Sequence, residues 1–301
     1  MNSPFSRYSP TRILASKLYH TLRGHSKKNP FYSIKNFLDP INLGLFFKYS
    51  GKEFSCNICG ARSALLYDFP NVKNRQEHMI GLLRETLQCR KCGSTMRNRS
   101  LAEVVLKALD QASSIKEVAA NEKLGLRILD TDSFSVMAQL LSHHKNYVRT
   151  SFIPDQPFGK EVEANRYNVN LENITFVDNS FDMILTSDVA EHIRDINTAH
   201  EEIYRVLKPG GIYIFTVPYD HNSVAHHTLV DTSQKEDVFL VPKQLHGDPL
   251  TGGILAYRVF GQAIFKDLQN IGFSVELHAI NNENKGLFDG DVFTATKIPP
   301  G

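Results

Sequence analysis

From residue 101 onward, apolar segments of helical and of strand character alternate along the chain. Apolar residues at helical spacing predict helices that begin near Leu101 and Val136, and helices over residues 197–207 and 260–271. Runs rich in branched and aromatic residues predict strands at residues 126–129, 147–152, 181–186, 212–217, 273–278 and 292–298. The segment Lys208-Pro209-Gly210-Gly211 predicts a stop between one helix and the next strand. Strands separated by such helices need crossover connections, so the pattern predicts an α/β fold with a doubly wound, mostly parallel sheet.

The length allows one full α/β core and a smaller module, so we expect two domains. Of 301 residues, 42% are hydrophobic and 22% are charged, which excludes disorder of the chain as a whole. No apolar run approaches the roughly 18 residues of a membrane span. Basic residues interrupt the apolar stretches of the N-terminus, so we expect no signal peptide and a cytoplasmic protein.

Residues 1–50 form a basic arm with a single acidic residue, Asp39. Four apolar residues of this arm recur at helical spacing between basic ones: Ile13, Leu14, Leu18 and Leu22. This pattern is typical of an amphipathic helix on a membrane surface, and equally of a helix that docks on its own protein, which we favour. Turn-forming pairs follow, so we expect the arm to be loosely ordered up to about residue 50.

The net charge of +2 hides a strong asymmetry between the two parts of the chain. Residues 1–100 hold 17 Lys and Arg against 5 Asp and Glu, a balance of +12, and the other 201 residues hold 17 against 27, a balance of −10. A basic front part favours contact with a polyanion such as RNA, an acidic membrane surface or an anionic glycan carrier. The alternative is that the basic arm folds onto the acidic body.

All four cysteines fall in two CxxC pairs, each followed by glycine: Cys56, Cys59 with Gly60, and Cys89, Cys92 with Gly93. Each pair places two thiolates on one side of a tight turn, and the glycine lets the chain turn away beneath them. Two such turns supply the four soft ligands that tetrahedral Zn²⁺ prefers. Residues 51–99 are therefore predicted to be a four-cysteine module that binds structural zinc, followed by a domain at residues 100–301.

Disulfides are disfavoured in a cytosolic chain, and a redox dithiol needs one CxxC pair rather than two. His78 lies between the pairs and is the spare ligand there, although we expect it at the surface. A basic cluster borders the second pair: Arg90, Lys91, Arg97 and Arg99. It could bind a phosphate or a partner's carboxylates, or simply form a solvated face.

Residues 168–219 contain the most informative motifs of the chain. These are Asp178-Asn179-Ser180-Phe181-Asp182 before a strand, Glu191-His192 after it, and Glu202 with the run from Arg205 to Gly211 at the end of a helix. In their order and spacing they resemble the class I S-adenosylmethionine-dependent methyltransferases with a type 11 domain, among them small-molecule and glycan-modifying members. The resemblance covers roughly residues 125–300 and implies a Rossmann-like, seven-stranded sheet. A CxxCG module in front of the domain looks like a variant within this group.

The resemblance implies that S-adenosylmethionine lies across the carboxyl ends of the first strands. It assigns cofactor contacts to Asp130, Thr131, Asp132 and Ser133 after the first strand, Ser151 after the second, Asn170 and Leu171 after the third, and Ser187 and Asp188 after the fourth. The chain departs from the family here, because the loop after Asp130 has no glycine and Ser151 replaces the usual acid. Alternatively, Asp130 and Asp132 only end a strand and cap the next helix.

Methyl transfer needs an oriented acceptor, exclusion of water and sometimes a base. The predicted catalytic residues are Asp188, His192 and His226, with His227 as an alternative to His226. The pair Glu191-His192 could instead only support its loop.

The polar segment 219–259 is predicted to be a substrate lid, or a structural loop. Its residues His246, Tyr257 and Arg258 offer donors to sugar hydroxyls or a phosphate. The sequence thus favours methyl transfer to a polar small molecule or glycan. RNA methylation through the basic module and a methyltransferase-fold scaffold without activity are the alternatives.

Overall fold

The computed structural model describes residues 40–67, 81–110, 112–121, 125–246 and 253–299. The predicted arm helix at residues 13–22 and the spare ligand His78 lie outside these ranges. Within them, no helix combines the length and the apolar character needed to span a bilayer.

A mostly parallel sheet of eight strands forms the centre of the protein. Its strands are β4 Ile128–Asp130, β5 Tyr147–Ser151, β6 Glu161–Glu163, β7 Arg166–Asn168, β8 Phe181–Ser187, β9 Leu207–Thr216, β16 Phe273–Asn282 and β17 Leu287–Lys297. The order across the sheet is β16-β17-β9-β8-β4-β5-β7-β6. Strands β7, β5, β4, β8 and β9 pair in parallel, whereas β17 is antiparallel to both neighbours. The predicted α/β, doubly wound methyltransferase fold is confirmed.

Two details of the sheet differ from the prediction. The eighth strand, β6, is a short edge strand whose two glutamates are exposed, so it has no apolar run to detect. Strand β9 begins at Leu207 rather than at Ile212. Pro209 and the glycines after it form a bulge against β8 and do not separate helix from strand, because the pairing slips between Phe181 and Met183.

Seven helices lie within the described residues: α1 Pro40–Tyr49, α2 Gly81–Thr86, α3 Met96–Leu109, α4 Ile115–Ala120, α5 Val136–Leu141, α6 Ile196–Val206 and α7 Ala263–Ile271. Helix α6 shows why they form where they do. The side chain of Asp195 accepts the backbone N–H of Thr198 at 3.1 Å, which caps the first turn. Its apolar face, with Ala199, Ile203 and Val206, is buried against the sheet.

The core on one face of the sheet is built around stacked aromatic rings. The rings of Tyr213 and Phe215 lie 4.3 Å apart, and those of Phe215 and Phe293 lie 5.1 Å apart. All three side chains are at most 1% exposed. Adjacent strands β9 and β17 are therefore held together by side-chain packing as well as by their backbone hydrogen bonds.

The cysteine module is a three-stranded antiparallel sheet with order β1-β2-β3, formed by β1 Glu53–Ser55, β2 Arg62–Tyr67 and β3 Leu87–Cys89. Helix α1 precedes this sheet. The expectation that the chain is loosely ordered up to about residue 50 is therefore wrong for residues 40–49. Phe46 and Tyr49 of this helix are buried, and the ring of Tyr49 lies 4.9 Å from that of Phe288. Burial of these rings explains why the helix is ordered despite the nearby turn signals.

Helix α3 joins the module to the sheet, and the predicted boundary between residues 99 and 100 falls inside it. Arg99 on this helix is fully buried. Its guanidinium lies 4.2 Å from the ring centroid of Phe54 and donates to the carbonyl oxygens of Lys285 and Gly286. The expectation that Arg99 belongs to a solvated or phosphate-binding face is therefore wrong.

Candidate cofactor and acceptor site

The last residues of four parallel strands lie along one edge of the sheet. Asp130 ends β4, Ser151 ends β5, Asn168 ends β7 and Ser187 ends β8. In register, Asp130 stands beside Arg149 of β5 and Leu185 of β8. The carboxyl ends of parallel strands are where open α/β sheets bind ligands, so we call this edge the carboxyl-end crevice.

The loop after β4 is held by its own side chains instead of by glycines. Asp132 accepts the backbone N–H groups of Phe134 and Ser135, both at 2.9 Å, at the start of α5. The hydroxyl of Ser133 donates to the carbonyl of Thr150 at 2.7 Å, and that of Thr131 donates to the carbonyl of Leu185 at 3.3 Å. Asp132 thus stabilises the turn before the helix, whereas the N-cap itself is Ser135, whose side chain accepts the backbone N–H of Ala138. The predicted cofactor contacts of Thr131, Asp132 and Ser133 stay predictions.

Phe134 lies in the loop without glycine, and its side chain is directed away from the protein core. Its side chain is 64% exposed, and the Arg166 guanidinium lies 5.8 Å from its ring centroid. Arg166 also donates to the Ser151 hydroxyl at 3.1 Å and pairs with Glu163 at 2.8 Å. The position where the family usually has a ribose-binding acid therefore holds a hydroxyl already bonded to a cation.

Asp130 is buried beneath this loop with both carboxyl oxygens engaged. One accepts the backbone N–H of Asp132 at 2.8 Å, and the other is hydrogen-bonded to the hydroxyl of Tyr147. Burial, reinforced by the charge of Asp132, raises the pKa of the Asp130 carboxyl to about 8. Asp130 is thus a largely protonated structural group at neutral pH.

This raised pKa predicts a pH dependence of folding stability. The unfolded chain loses the Asp130 proton near pH ~4, whereas the folded protein keeps it up to a pH of about 8. Between these values the folded state binds the extra proton, so the free energy of unfolding should fall as the pH rises and level off above the folded pKa. The variant Asp130→Asn cannot ionise at this position. Its free energy of unfolding should therefore rise relative to that of the wild type by up to about 1 kcal/mol per pH unit across this window.

Urea denaturation at four pH values between 5 and 8 measures the difference. Asp155→Asn, at an exposed position, serves as the matched control and should follow the wild type. Parallel stability curves for the wild type and Asp130→Asn would contradict the assignment.

At the third strand, an asparagine absent from the predicted set organises the edge of the crevice. Asn168 is fully buried, accepts the backbone N–H of Ile153 at 2.8 Å and donates to the carbonyls of Ile153 and Gln156. The predicted adenine contact Asn170 accepts the backbone N–H of Glu172 at 3.0 Å, and Leu171 is buried. The sequence holds little signal for Asn168, because the short strand that it ends is only half-buried and its backbone partners lie in a loop without a regular pattern.

Asp188 lies between two arginines that come from the N-terminal part of the chain. One carboxylate oxygen pairs with Arg84 at 2.7 Å and accepts the hydroxyl of Thr216 at 2.9 Å, and the other lies 3.3 Å from Arg97. Burial alone would raise the pKa of Asp188, but the charges of Arg84 and Arg97 outweigh it and lower the pKa. An ion-paired carboxylate with a lowered pKa is a poor general base, which weakens the predicted catalytic role of Asp188.

Arg97 also connects the cysteine module to the predicted cofactor residue Ser187. It donates to the Ser187 hydroxyl at 2.5 Å and to the Ser187 carbonyl at 3.3 Å, and it pairs with Glu85 at 2.6 Å. The sequence showed Arg97 only as part of a basic cluster. Its partner Ser187 lies 90 residues further along the chain, where no local pattern indicates the contact.

The predicted catalytic His192 lies beside a buried carboxylate and a second histidine. Its Nε2 is 3.7 Å from an oxygen of Glu191, and Nδ1 of His246 is 3.5 Å from the same oxygen. The Glu191 carboxylate raises the pKa of His246 against the lowering effect of burial. His246 was predicted only as a donor for sugar hydroxyls, and the structure brings it to His192.

His226 has a different environment from His192. Its Nε2 lies 2.8 Å from a carboxylate oxygen of Asp267 on α7, and its Nδ1 accepts the backbone N–H of Gly261 at 3.0 Å. Its neighbour His227 lies 2.9 Å from Asp220. His226 thus ties segment 219–259 to α7 through Asp267 and to Gly261 just before that helix, and its catalytic role stays a prediction.

In its described residues, 219–246 and 253–259, the segment predicted as a lid forms short two-stranded pairs. They are formed by β10 His227–Thr228 with β15 Arg258–Val259, β11 Val230–Asp231 with β12 Val238–Phe239, and β13 Leu245–His246 with β14 Ile254–Leu255. Arg258 is buried and donates to the carbonyls of Ile193 at 2.6 Å and Arg194 at 2.9 Å. Arg258 therefore fastens the segment to the loop after β8. Its predicted role as a donor to a phosphate requires a free guanidinium, so that prediction is wrong.

The four cysteines form a compact cluster without disulfides. Their four sulfur atoms lie within 4.8 Å of one another, and the sulfurs of Cys56 and Cys92 are 3.9 Å apart. Tetrahedral zinc with bonds of about 2.3 Å separates its sulfur ligands by about 3.8 Å. Gly60 and Gly93 have φ values of 69° and 75°, so both turns use the backbone freedom expected of them.

A shallow cleft of about 550 Å³ lies between α6 and α7. Its lining residues are Asn197, Glu201, Tyr204, Asp267, Asn270 and Ile271. None of the predicted site residues lines it, so the carboxyl-end crevice remains the candidate site.

Residues 115–215 match a family model described as a methyltransferase domain. The match runs from α4 to β9 and contains all five strands that pair in parallel. These residues form a class I methyltransferase domain. In this domain the crevice lies within the matched part, whereas the cysteine module, Arg84 and Arg97 precede it.

Among curated proteins, the methyltransferase domain is similar to fungal sterol 24-C-methyltransferases. The enzyme of Yarrowia lipolytica is 26% identical over 132 residues, which is 42% of this chain and 30% of the relative. That of Aspergillus fumigatus is 36% identical over 59 residues, or 18% of this chain and 16% of the relative. The chain thus spans less than a third of the length of these relatives.

Two solved structures with a similar fold are given as examples. One is the 1,6-didemethyltoxoflavin-N1-methyltransferase of Burkholderia thailandensis with bound 1,6-didemethyltoxoflavin and S-adenosylhomocysteine, at 15% identity and a TM-score of 0.38, covering 67% of this chain and 78% of that one. The other is the YcgJ protein of Bacillus subtilis, at 12% identity and a TM-score of 0.40, covering 67% and 100%.

Proposed function

We propose that the chain binds S-adenosylmethionine in the carboxyl-end crevice and transfers its methyl group to a polar small molecule or glycan. The match of residues 115–215 to a methyltransferase domain carries this proposal, because that segment supplies every strand end of the crevice. When bound, the cofactor supplies an electrophilic methyl group on a sulfonium.

The residues around the crevice fit a nucleoside in two respects. First, the Phe134 side chain is exposed and is not packed into the core beneath the loop. Second, Phe152 directly follows Ser151, is 64% exposed, and stacks on Phe158 with ring centroids 5.7 Å apart. An exposed aromatic platform of this kind suits an adenine ring. Ser151 and Asn170 are the groups that would hold the ribose and the adenine amino group, after Arg166 and Glu172 give up their present bonds to them.

The chain's own contribution to transfer is to orient the acceptor and to exclude water. The loop that follows β8 and segment 219–259 are joined by Arg258 and by the contact of His192 with Leu255. Their shared surface beside Ser187 is where we place the acceptor, and segment 219–259 would act as the lid.

We also propose that Cys56, Cys59, Cys89 and Cys92 bind structural zinc. The sulfur spacing and the two glycine turns support this assignment. A site closed by four thiolates has no open position for a substrate, so the ion would stabilise the module.

An apolar acceptor is a second candidate, favoured by one surface of segment 219–259. Four consecutive apolar side chains are exposed there, Val238, Phe239, Leu240 and Val241. Relatives named sterol 24-C-methyltransferases point the same way. RNA is less favoured, because Arg97 and Arg99 of the basic cluster are directed at internal partners.

Formation of S-adenosylhomocysteine with a panel of acceptors tests the proposal. The panel contains sugar nucleotides, free oligosaccharides, a sterol in detergent and a short RNA. Turnover is expected with a polar class, and the sample without acceptor sets the baseline. Turnover restricted to the sterol or to the RNA would overturn the proposed acceptor class.

A further inference from the structure

A completely buried carboxylate lies next to the predicted acceptor region. Glu191 is 0% exposed, and among the described residues neither of its carboxylate oxygens accepts a hydrogen bond. Leaving a carboxylate in this condition is costly, because a buried charge needs a partner of opposite charge or a bound metal. The surroundings of Glu191 therefore indicate a cationic ligand.

Two imidazoles complete a set of metal ligands around Glu191. One ligand atom each of Glu191, His192 and His246 lies within 4.8 Å of the other two. The distances to the shared Glu191 oxygen are 3.7 Å for His192 Nε2 and 3.5 Å for His246 Nδ1. Ligands about 2.1 Å from a tetrahedral ion lie about 3.4 Å apart, so both distances are close to those of a metal site.

The orientation of His192 is the one that a metal-binding histidine needs. Its Nδ1 donates to the backbone carbonyl of Leu255 at 2.8 Å. This bond fixes the ring and leaves the Nε2 lone pair directed toward Glu191. Metal-binding histidines are commonly held in this way, with the second ring nitrogen bonded to a carbonyl or carboxylate.

We propose that Glu191, His192 and His246 bind a divalent first-row transition metal ion. Two imidazoles among three ligands favour Zn²⁺, Fe²⁺ or Co²⁺ over Mg²⁺ or Ca²⁺, which prefer oxygen ligands. Three protein ligands leave at least one coordination position open, unlike the four-cysteine cluster. The site joins the loop after β8 to β13 of segment 219–259, so the ion would also fasten that segment.

The open position suggests a class of acceptor, and this step rests on the proposed function. A hydroxyl oxygen bound to the ion has a lowered pKa and loses its proton to water more readily. That oxygen then forms a bond to the methyl carbon, while the carbon–sulfur bond breaks and its electron pair stays on sulfur. A sugar or another hydroxyl compound thus fits the site better than an apolar carbon acceptor does.

Metal content of the full-length chain tests the site independently of any methyl transfer. The wild type and its variants are equilibrated with Zn²⁺, desalted and analysed by elemental mass spectrometry. The wild type should retain one more equivalent of Zn²⁺ than either Glu191→Gln or His246→Asn. His221→Asn changes a half-exposed histidine that pairs with Asp291, and should match the wild type.

Titration with Co²⁺ identifies the ligands of the extra equivalent. The wild type should show the weak visible bands of Co²⁺ bound to nitrogen and oxygen ligands, and these bands should disappear in His246→Asn. Any charge-transfer band from thiolate ligands should be the same in both proteins. His246 is 40% exposed on a short strand, so its variant should fold, as circular dichroism can verify. Equal metal content and equal Co²⁺ spectra in the wild type and in folded His246→Asn would overturn the site. Metal binding without turnover would count against the proposed function alone.

Discussion

Replacing Cys89 with serine should abolish zinc binding by the four cysteines and unfold the cysteine module. Cys89 is fully buried and lies in the same apolar cluster as Phe54 and Leu287. Structural zinc contributes on the order of 10 kcal/mol to the folding of small metal-binding modules, which is comparable to the net stability of a whole domain. The loss therefore cannot be absorbed by the small sheet of β1, β2 and β3.

Zinc content and hydrogen exchange of residues 53–67 measure this effect. Cys89→Ser should lose one equivalent of zinc and the protection of these strands. Ser55→Ala, at an exposed position of the same module, should keep both. A Cys89→Ser variant with wild-type zinc content and protection would show that the cluster holds no metal.

Removal of both arginines around Asp188 should destabilise the protein by about 3 kcal/mol or more. The double variant Arg84→Met with Arg97→Met leaves Asp188 partly buried without a cation, which is the costly way to break a buried ion pair. Adding Asp188→Asn to this background removes the uncompensated charge. We expect this third change to restore most of the lost free energy of unfolding.

Urea denaturation at neutral pH measures both steps. Arg62→Met is the matched control, because Arg62 makes an exposed ion pair with Glu53 at 2.8 Å and should contribute less than about 1 kcal/mol. If Asp188→Asn gave no recovery in the double variant, the loss would arise from packing and not from the charge of Asp188.

The central strands of the sheet could be predicted because they are buried on both faces. The strand Phe181–Ser187 carries this information locally through its apolar residues Phe181 and Met183 to Leu185, as does the capped and amphipathic helix Ile196–Val206. Two kinds of element could not be predicted from the sequence. The edge strand Glu161–Glu163 is polar, and the helix Pro40–Tyr49 owes its order to Phe288, far along the chain.

The cluster of Cys56, Cys59, Cys89 and Cys92, which we propose to bind zinc, could be predicted because residue type and spacing are properties of the sequence itself. The crevice was visible only as a series of strand ends. Long-range pairing decides what its side chains do there. Asp188 looked like a base until Arg84 was seen beside it, 104 residues away in sequence. His246 and Glu191 likewise meet only after segment 219–259 has folded back.

Calorimetric titration with S-adenosylmethionine tests most directly whether the crevice is a cofactor site. We expect binding by the wild type and about tenfold weaker binding by Phe152→Ala, which removes the aromatic platform next to Ser151. Phe47→Ala is the matched control, since Phe47 is 74% exposed on α1 and should leave affinity unchanged. A wild-type protein that gives no binding heat at millimolar cofactor would contradict the account and leave a methyltransferase fold that serves as a scaffold.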